Sequence, residues 1–237
     1  MSRPSRLAAL LLLVAACQSV ADPETDEPER VSAAPEIAPA PSPRGVAPRV
    51  GPAMRRMPAG PAGAVCGDPR VIGVRLPPIS SARSGCGIAE PVSLVRVAGV
   101  EMNGEARVNC DNAVALADWL ERSAKPAVLD AYSVRLVGVK PAAAYACRPR
   151  NRQKGAKLSE HAKGNAIDIS EFTLAGGQVV DVKSGWRGKD ASRDFLRAAW
   201  AGACGPFGTV LGPESDRFHR DHFHLDVARH RNGAYCR

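Results

Sequence analysis

The chain has 237 residues, 45% hydrophobic and 24% charged, which is enough for one or two folded domains. Its formal net charge is +8, yet no dense Lys/Arg run is interleaved with aromatics, so nothing points to a nucleic-acid partner. An exported basic domain more readily meets an anionic envelope polymer or a membrane surface.

Residues 1–16 carry Arg3 and Arg6 and then the apolar run Leu7–Ala16. That run has the length of a signal-peptide h-region and is too short to span a bilayer. It ends in Val14-Ala15-Ala16-Cys17, which resembles a lipobox. Cys17 is then the lipidated mature N-terminus; the plainer reading is an ordinary signal peptide cut after Ala16. Gln18 follows Cys17 where the inner-membrane retention signal has Asp, so a periplasmic, outer-membrane anchor is favoured over an inner one. Residues 17–64 read as a Pro/Ala-rich tether: half of the chain's 20 prolines lie between Pro23 and Pro61. Such a segment buries too little apolar surface to offset its ordering entropy and should be an extended spacer.

The folded domain is expected over 65–237. Cys110–Ala124 has helical periodicity, with Asp111 able to cap and Val114, Ala117 and Leu120 on one stripe. Pro126 starts a second helix through Ala131. Ser133–Val139 alternates like a strand, and Gln178–Val182 reads as another. Ala191–Ala203 is an amphipathic helix with Phe195, Leu196, Ala199 and Trp200 inward, and Thr209–Leu211 and His222–Val227 are short strands. Without a regular βαβ alternation the fold class is α+β, a small antiparallel sheet flanked by helices. Cys66, Cys86, Cys110, Cys147, Cys204 and Cys236 form an even set in an exported domain and read as three disulfides. The expected pairing is Cys66–Cys86, Cys110–Cys147 and Cys204–Cys236. A zinc–thiolate cluster is disfavoured because no C-x-x-C pair exists.

Four of the five histidines fall in two groups, one in Ser159–Ile169 and one in His219–Asp226. As a strand, the second group puts His222, His224 and Asp226 on one face and Phe223, Leu225 and Val227 on the other. Ile167 and Ile169 face inward, so Asp168 faces the opposite way, and Gly164 lets the chain turn between His161 and that strand. His161, Asp168 and His224 are two imidazoles and a carboxylate, a donor set suited to one zinc ion with a position left for water. His222 is the candidate acid/base, and His219 is placed to stabilise an oxyanion or orient substrate. Asp226 is positioned to hold an imidazole in its tautomer. Asp221 would face away and takes no role, and His230 reads as solvated surface. Arg148 and Arg150, with Asn151 beside them, are candidate substrate-binding residues for a carboxylate.

The stretches Cys86-Gly87-Ile88, AYACRPRN (144–151), LSEHAKGNAIDISEF (158–172), ACGPFGTVLGP (203–213) and HRDHFHLDVA (219–228) resemble the extensin-like C-terminal domain family of bacteria. The histidine motifs are in turn similar to the metal site of the lysostaphin, D-Ala-D-Ala metallopeptidase and hedgehog superfamily, in the pattern of the penicillin-insensitive murein endopeptidases. That resemblance implies a disulfide-braced peptidase fold, His161, Asp168 and His224 as zinc ligands, and His222 and His219 as catalytic residues. It implies a peptidoglycan peptidase; the chain itself is expected to be a monomer that touches the membrane only through the lipid anchor at Cys17. A wall-binding protein that keeps zinc without hydrolysis is the rival expectation.

Overall fold

The computed structural model describes residues 62–237. The expected signal peptide, Cys17 and almost all of the tether lie outside the described residues. The first half of the domain, for which the sequence offered little periodicity, is a run of strands. These are β1 (Gly63–Val65), β2 (Asp68–Arg75), β3 (Ile79–Ser80), β4 (Gly87–Ile88), β5 (Val92–Val97), β6 (Val100–Met102) and β7 (Arg107–Val108).

A helical arm follows as α1 (Cys110–Trp119), a π-helical turn over Leu120–Ala124, and α2 (Lys125–Tyr132). The cap of α1 is Asn109, not Asp111: the Asn109 side chain accepts the backbone N–H of Asn112 at 2.9 Å. Pro126 lies in the first turn of a second helix, as expected, but it makes no break from the first. The chain stays helical because the wider π turn comes just before a residue that lacks an N–H and whose ring crowds the preceding turn. The buried stripe contains Ala113, Leu116, Ala117 and Leu120, and Val114 is only half-buried.

The remaining elements are β8 (Leu136–Ala143), β9 (Ala166–Leu174), β10 (Val179–Asp181), α3 (Val182–Gly185), α4 (Ala191–Ala203), β11 (Thr209–Leu211), β12 (Phe223–Asp226) and β13 (Tyr235–Cys236). None of the described helices is long and apolar enough to cross a membrane.

The sheet is large, which corrects the expected small one. Eleven strands join it, in the order β1-β2-β5-β6-β8-β9-β12-β11-β13, with β7 on β5 and β10 on β9. Most neighbours are antiparallel; β6–β8 and β11–β13 are parallel. The short N-terminal strands, interrupted by bulges and Gly turns, hide this extent from a periodicity reading.

Helices cover one face. Trp119 meets Phe172 and Phe207 edge-on at 6.2 and 6.5 Å and donates its indole N–H to the Ala199 carbonyl at 2.8 Å, tying α1 to α4. Phe172 also packs perpendicular to Phe195 at 4.9 Å, and Trp186 lies against Phe223 at 5.7 Å. Each of these buried aromatic side chains contributes on the order of 1.5–3 kcal/mol of burial. Phe195, Leu196 and Ala199 of α4 are buried as expected, while Trp200 stays half-buried.

Three disulfides brace the domain, with two of the pairings different from expectation. Cys66 joins Cys110, Cys86 joins Cys147, and Cys204 joins Cys236 as expected. Adjacent-in-sequence pairing fails because the sheet interleaves its strands. β2 and β5 pack on α1, which brings Cys66 to the start of that helix, and the β3–β4 hairpin lies beside the loop that carries Cys147.

Candidate metal centre

β9 and β12 are antiparallel neighbours in a register that sets Asp168 directly opposite His224. Alternation does the rest: Ile167, Ile169, Phe223 and Leu225 go into the core while Asp168, His224 and Asp226 point to the other face. His161 arrives from a short 3-10 turn, Glu160–Lys163, closed by Gly164 in the left-handed conformation at φ +70°. A Cβ at Gly164 would stand 2.4 Å from Cδ1 of Ile88, so both backbone and space require glycine.

His161 Nε2, His224 Nδ1 and Asp168 Oδ1 lie 2.9 to 3.1 Å from one another, and all three residues are buried. The remaining ring nitrogens are already committed. His161 Nδ1 lies 2.7 Å from the carbonyl oxygen of Ala144, a bond only Nδ1–H can make. His224 Nε2–H donates to Oδ2 of Asp226 at 3.0 Å. These partners fix both tautomers and leave two ring lone pairs and a carboxylate oxygen aimed at one point. Such crowding of acceptors calls for a cation. Bonds of about 2.0–2.1 Å to a small divalent ion separate tetrahedral ligand atoms by about 3.3 Å, so the observed spacing fits one. These residues could hold a metal ion.

The electrostatics agree. Burial disfavours charge on Asp168, but the imidazoles of His161 and His224 hold its carboxyl well below the usual range. Burial likewise disfavours protonating His224, yet the hydrogen bonds and charges of Asp168 and Asp226 outweigh it and raise the imidazole to about 9. Without a metal, a proton meets the demand for positive charge. Asp226 is held low by His224 against its own burial.

Beside the triad stand two more histidines, each with a carboxylate behind it. His222 donates Nδ1–H to Asp221 at 2.8 Å and points Nε2 toward Asp168 Oδ2 at 3.6 Å. His219 donates Nδ1–H to Asp216 at 2.8 Å, and burial, against the pull of Asp216, lowers its pKa. Asp221 was expected to face away. His222 precedes the first residue of β12, so strand alternation does not reach it and the neighbouring carboxylate can fold back. Asp216 carried a readable signal, an Asp three residues before a His, as found in a tight turn.

All of this opens into a cleft of about 790 Å³. Arg148, Arg150 and Asn151 line it, joined by Arg152. Their loop is held by Cys86–Cys147 and by backbone hydrogen bonds from Arg150 to Lys157 and from Ser159 to Arg148. The tail from His230 to Tyr235 also lines the cleft. His230, read from sequence as plain surface, is exposed but shares a 2.9 Å hydrogen bond with the Thr209 hydroxyl.

The model of the family described as extensin-like protein C-terminus matches residues 66–237. No curated protein and no solved structure matches the chain.

Proposed function

The chain belongs to the extensin-like protein C-terminus family, and on that premise we propose that its site binds one zinc ion and that the domain is a peptidoglycan peptidase. The carrying observation is the triad itself: three acceptor atoms with tautomers fixed from behind, converging at the floor of an open cleft beside two more histidines. Two imidazoles and a carboxylate favour zinc over harder ions that prefer oxygen alone. His161, Asp168 and His224 hold it.

Zinc, when bound, supplies Lewis acidity toward a peptide carbonyl and brings the pKa of water to about 7. The chain supplies the rest. His222, with Nδ1–H committed to Asp221, offers the Nε2 lone pair to take a proton and later return it to the leaving amine. His219 stays neutral under its lowered pKa and presents an acceptor at Nε2, so it orients an N–H or O–H of the substrate rather than acting as a cation. Arg148 and Arg150, with Asn151, bind a substrate carboxylate. The lipobox-like Cys17 supports delivery to the periplasmic face of the envelope, the outer membrane in preference to the inner, where the wall polymer lies.

The test is to measure zinc in the purified chain and to digest isolated sacculi with and without chelator. Chelator-sensitive release of peptide fragments is expected. Stoichiometric zinc with sacculus binding and no cleavage would make it a non-catalytic wall-binding protein instead. No zinc at all would remove both readings.

A further inference from the structure

We propose that the cleft is built for a peptide carrying free carboxylates on both sides of the bond placed over the triad, and that Arg231 binds the second of them. The inference rests on the peptidase reading of the cleft and names its substrate class.

Strand order sets the stage. β8 runs into the loop bearing Arg148, Arg150 and Arg152, on one side of β9 and β12. On the other side lie β11 and β13, and the segment between β12 and β13 carries Arg231. The triad sits between, on β9 and β12 and the turn before β9. Four strand steps separate β8 from β13, about 19 Å at about 4.8 Å per step. Arg231 and the arginine loop therefore enter the same cleft from either side of the triad and bind separate groups.

The charges demand such a ligand. Among the described residues, none of these four guanidinium groups has a carboxylate within ion-pair distance. The cleft's own carboxylates are engaged elsewhere: Glu160 with Lys163 and Asn165, Asp216 with His219, and Asp168 and Asp226 with the buried imidazoles. Guanidinium groups facing a cleft whose acids are already paired suit anions brought by the ligand.

The segment that carries Arg231 is anchored on both sides of it. Its neighbour His230 is fastened to Thr209, the backbone N–H of Tyr235 bonds to Gly208 at 2.7 Å, and Cys236 is linked to Cys204. An anchored segment leaves less backbone to order when the arginine binds.

The experiment measures binding of three synthetic branched peptides to the zinc-loaded full chain by calorimetry. One has a free carboxylate on each side of the central amide; each of the others has one of the two amidated. Arg231→Gln should weaken the doubly free peptide about tenfold and leave unchanged the peptide amidated on the side that Arg231 binds. Arg150→Gln should show the same pattern with the other amidated peptide. If both variants respond to the same carboxylate, or weaken all three peptides alike, or weaken none, the inference is overturned. Cleavage is not read. A chain that binds with the expected pattern and never hydrolyses upholds the two-carboxylate cleft while overturning the peptidase reading.

Discussion

His224 carries the sharpest residue-scale consequence. Its proton, held up to a pKa of about 9 in the metal-free site, competes with any metal. Apparent zinc affinity should therefore rise about tenfold per pH unit between pH 6 and 8 and level off above 9. Competition against a chromophoric chelator checks this, and a flat profile contradicts it. The metal-free domain should behave in the opposite sense. A raised imidazole pKa contributes stability that is fully present below about 6.5 and is lost as pH climbs through about 9, so the chelated domain's Tm should fall over that window. Asp168 and Asp226 are held low and stay ionised throughout it, so they add no slope there. His161→Ala and Asp168→Ala should lose zinc and turnover together. His222→Ala should keep zinc, seen by metal analysis, while losing turnover by about 10²–10⁴-fold. Asp168 and His224 were legible as residues because a strand with ionisable side chains on one face and apolar ones on the other has little structural reason to exist, and His161, His219 and His222 because they crowd beside those strands in the sequence. Asp221 and the Ala144 carbonyl were not. One sits where alternation stops, and the other is backbone, whose contacts no residue identity announces.

At the scale of elements, the site depends on β9 and β12 staying in register, and α1 enforces this. Asn112, buried on α1, donates its amide to the carbonyls of Asn165, just before β9, and Leu225 on β12, at 2.9 and 3.4 Å. The Asn165 carbonyl also accepts the N–H of Val227. Asn112→Ala should cost about 1–3 kcal/mol in denaturant unfolding, because the buried Leu225 carbonyl loses this donor and the Asn165 carbonyl keeps only Val227. A change below about 0.5 kcal/mol would mean the strands hold themselves. Gly164→Ala strains a left-handed turn and pushes into Ile88, so stability and metal affinity should fall together. The longest helix was readable, α4 matching its expected bounds, and β11 matches its own although it has only three residues. The β-strands of the first half were not: β1, β3, β4, β6 and β7 have two or three residues, too few to display a period, and the pairing of β2 with β5 shifts register between Ile72 and Gly73.

For the whole molecule, the disulfides bind distant parts across separations of 44, 61 and 32 residues. Removing Cys66–Cys110 should cost about 2–5 kcal/mol of global stability. Cys204→Ser with Cys236→Ser should add a local effect, faster hydrogen exchange in the tail that walls the cleft. That six cysteines pair internally was legible from their even number, and so was Cys204–Cys236; the other partners were not, because their pairing follows sheet order and sheet order was unread. One consequence of the β9–β12 register remains. His161 and His224 are brought together only once two strands that flank α4 in the chain have closed against each other. Metal capture at this site would therefore be a late event, and cobalt would turn it into a colour. During refolding, the visible absorption of tetrahedral cobalt should appear with the slowest phase, and a chain whose strands slid by one residue would stay pale.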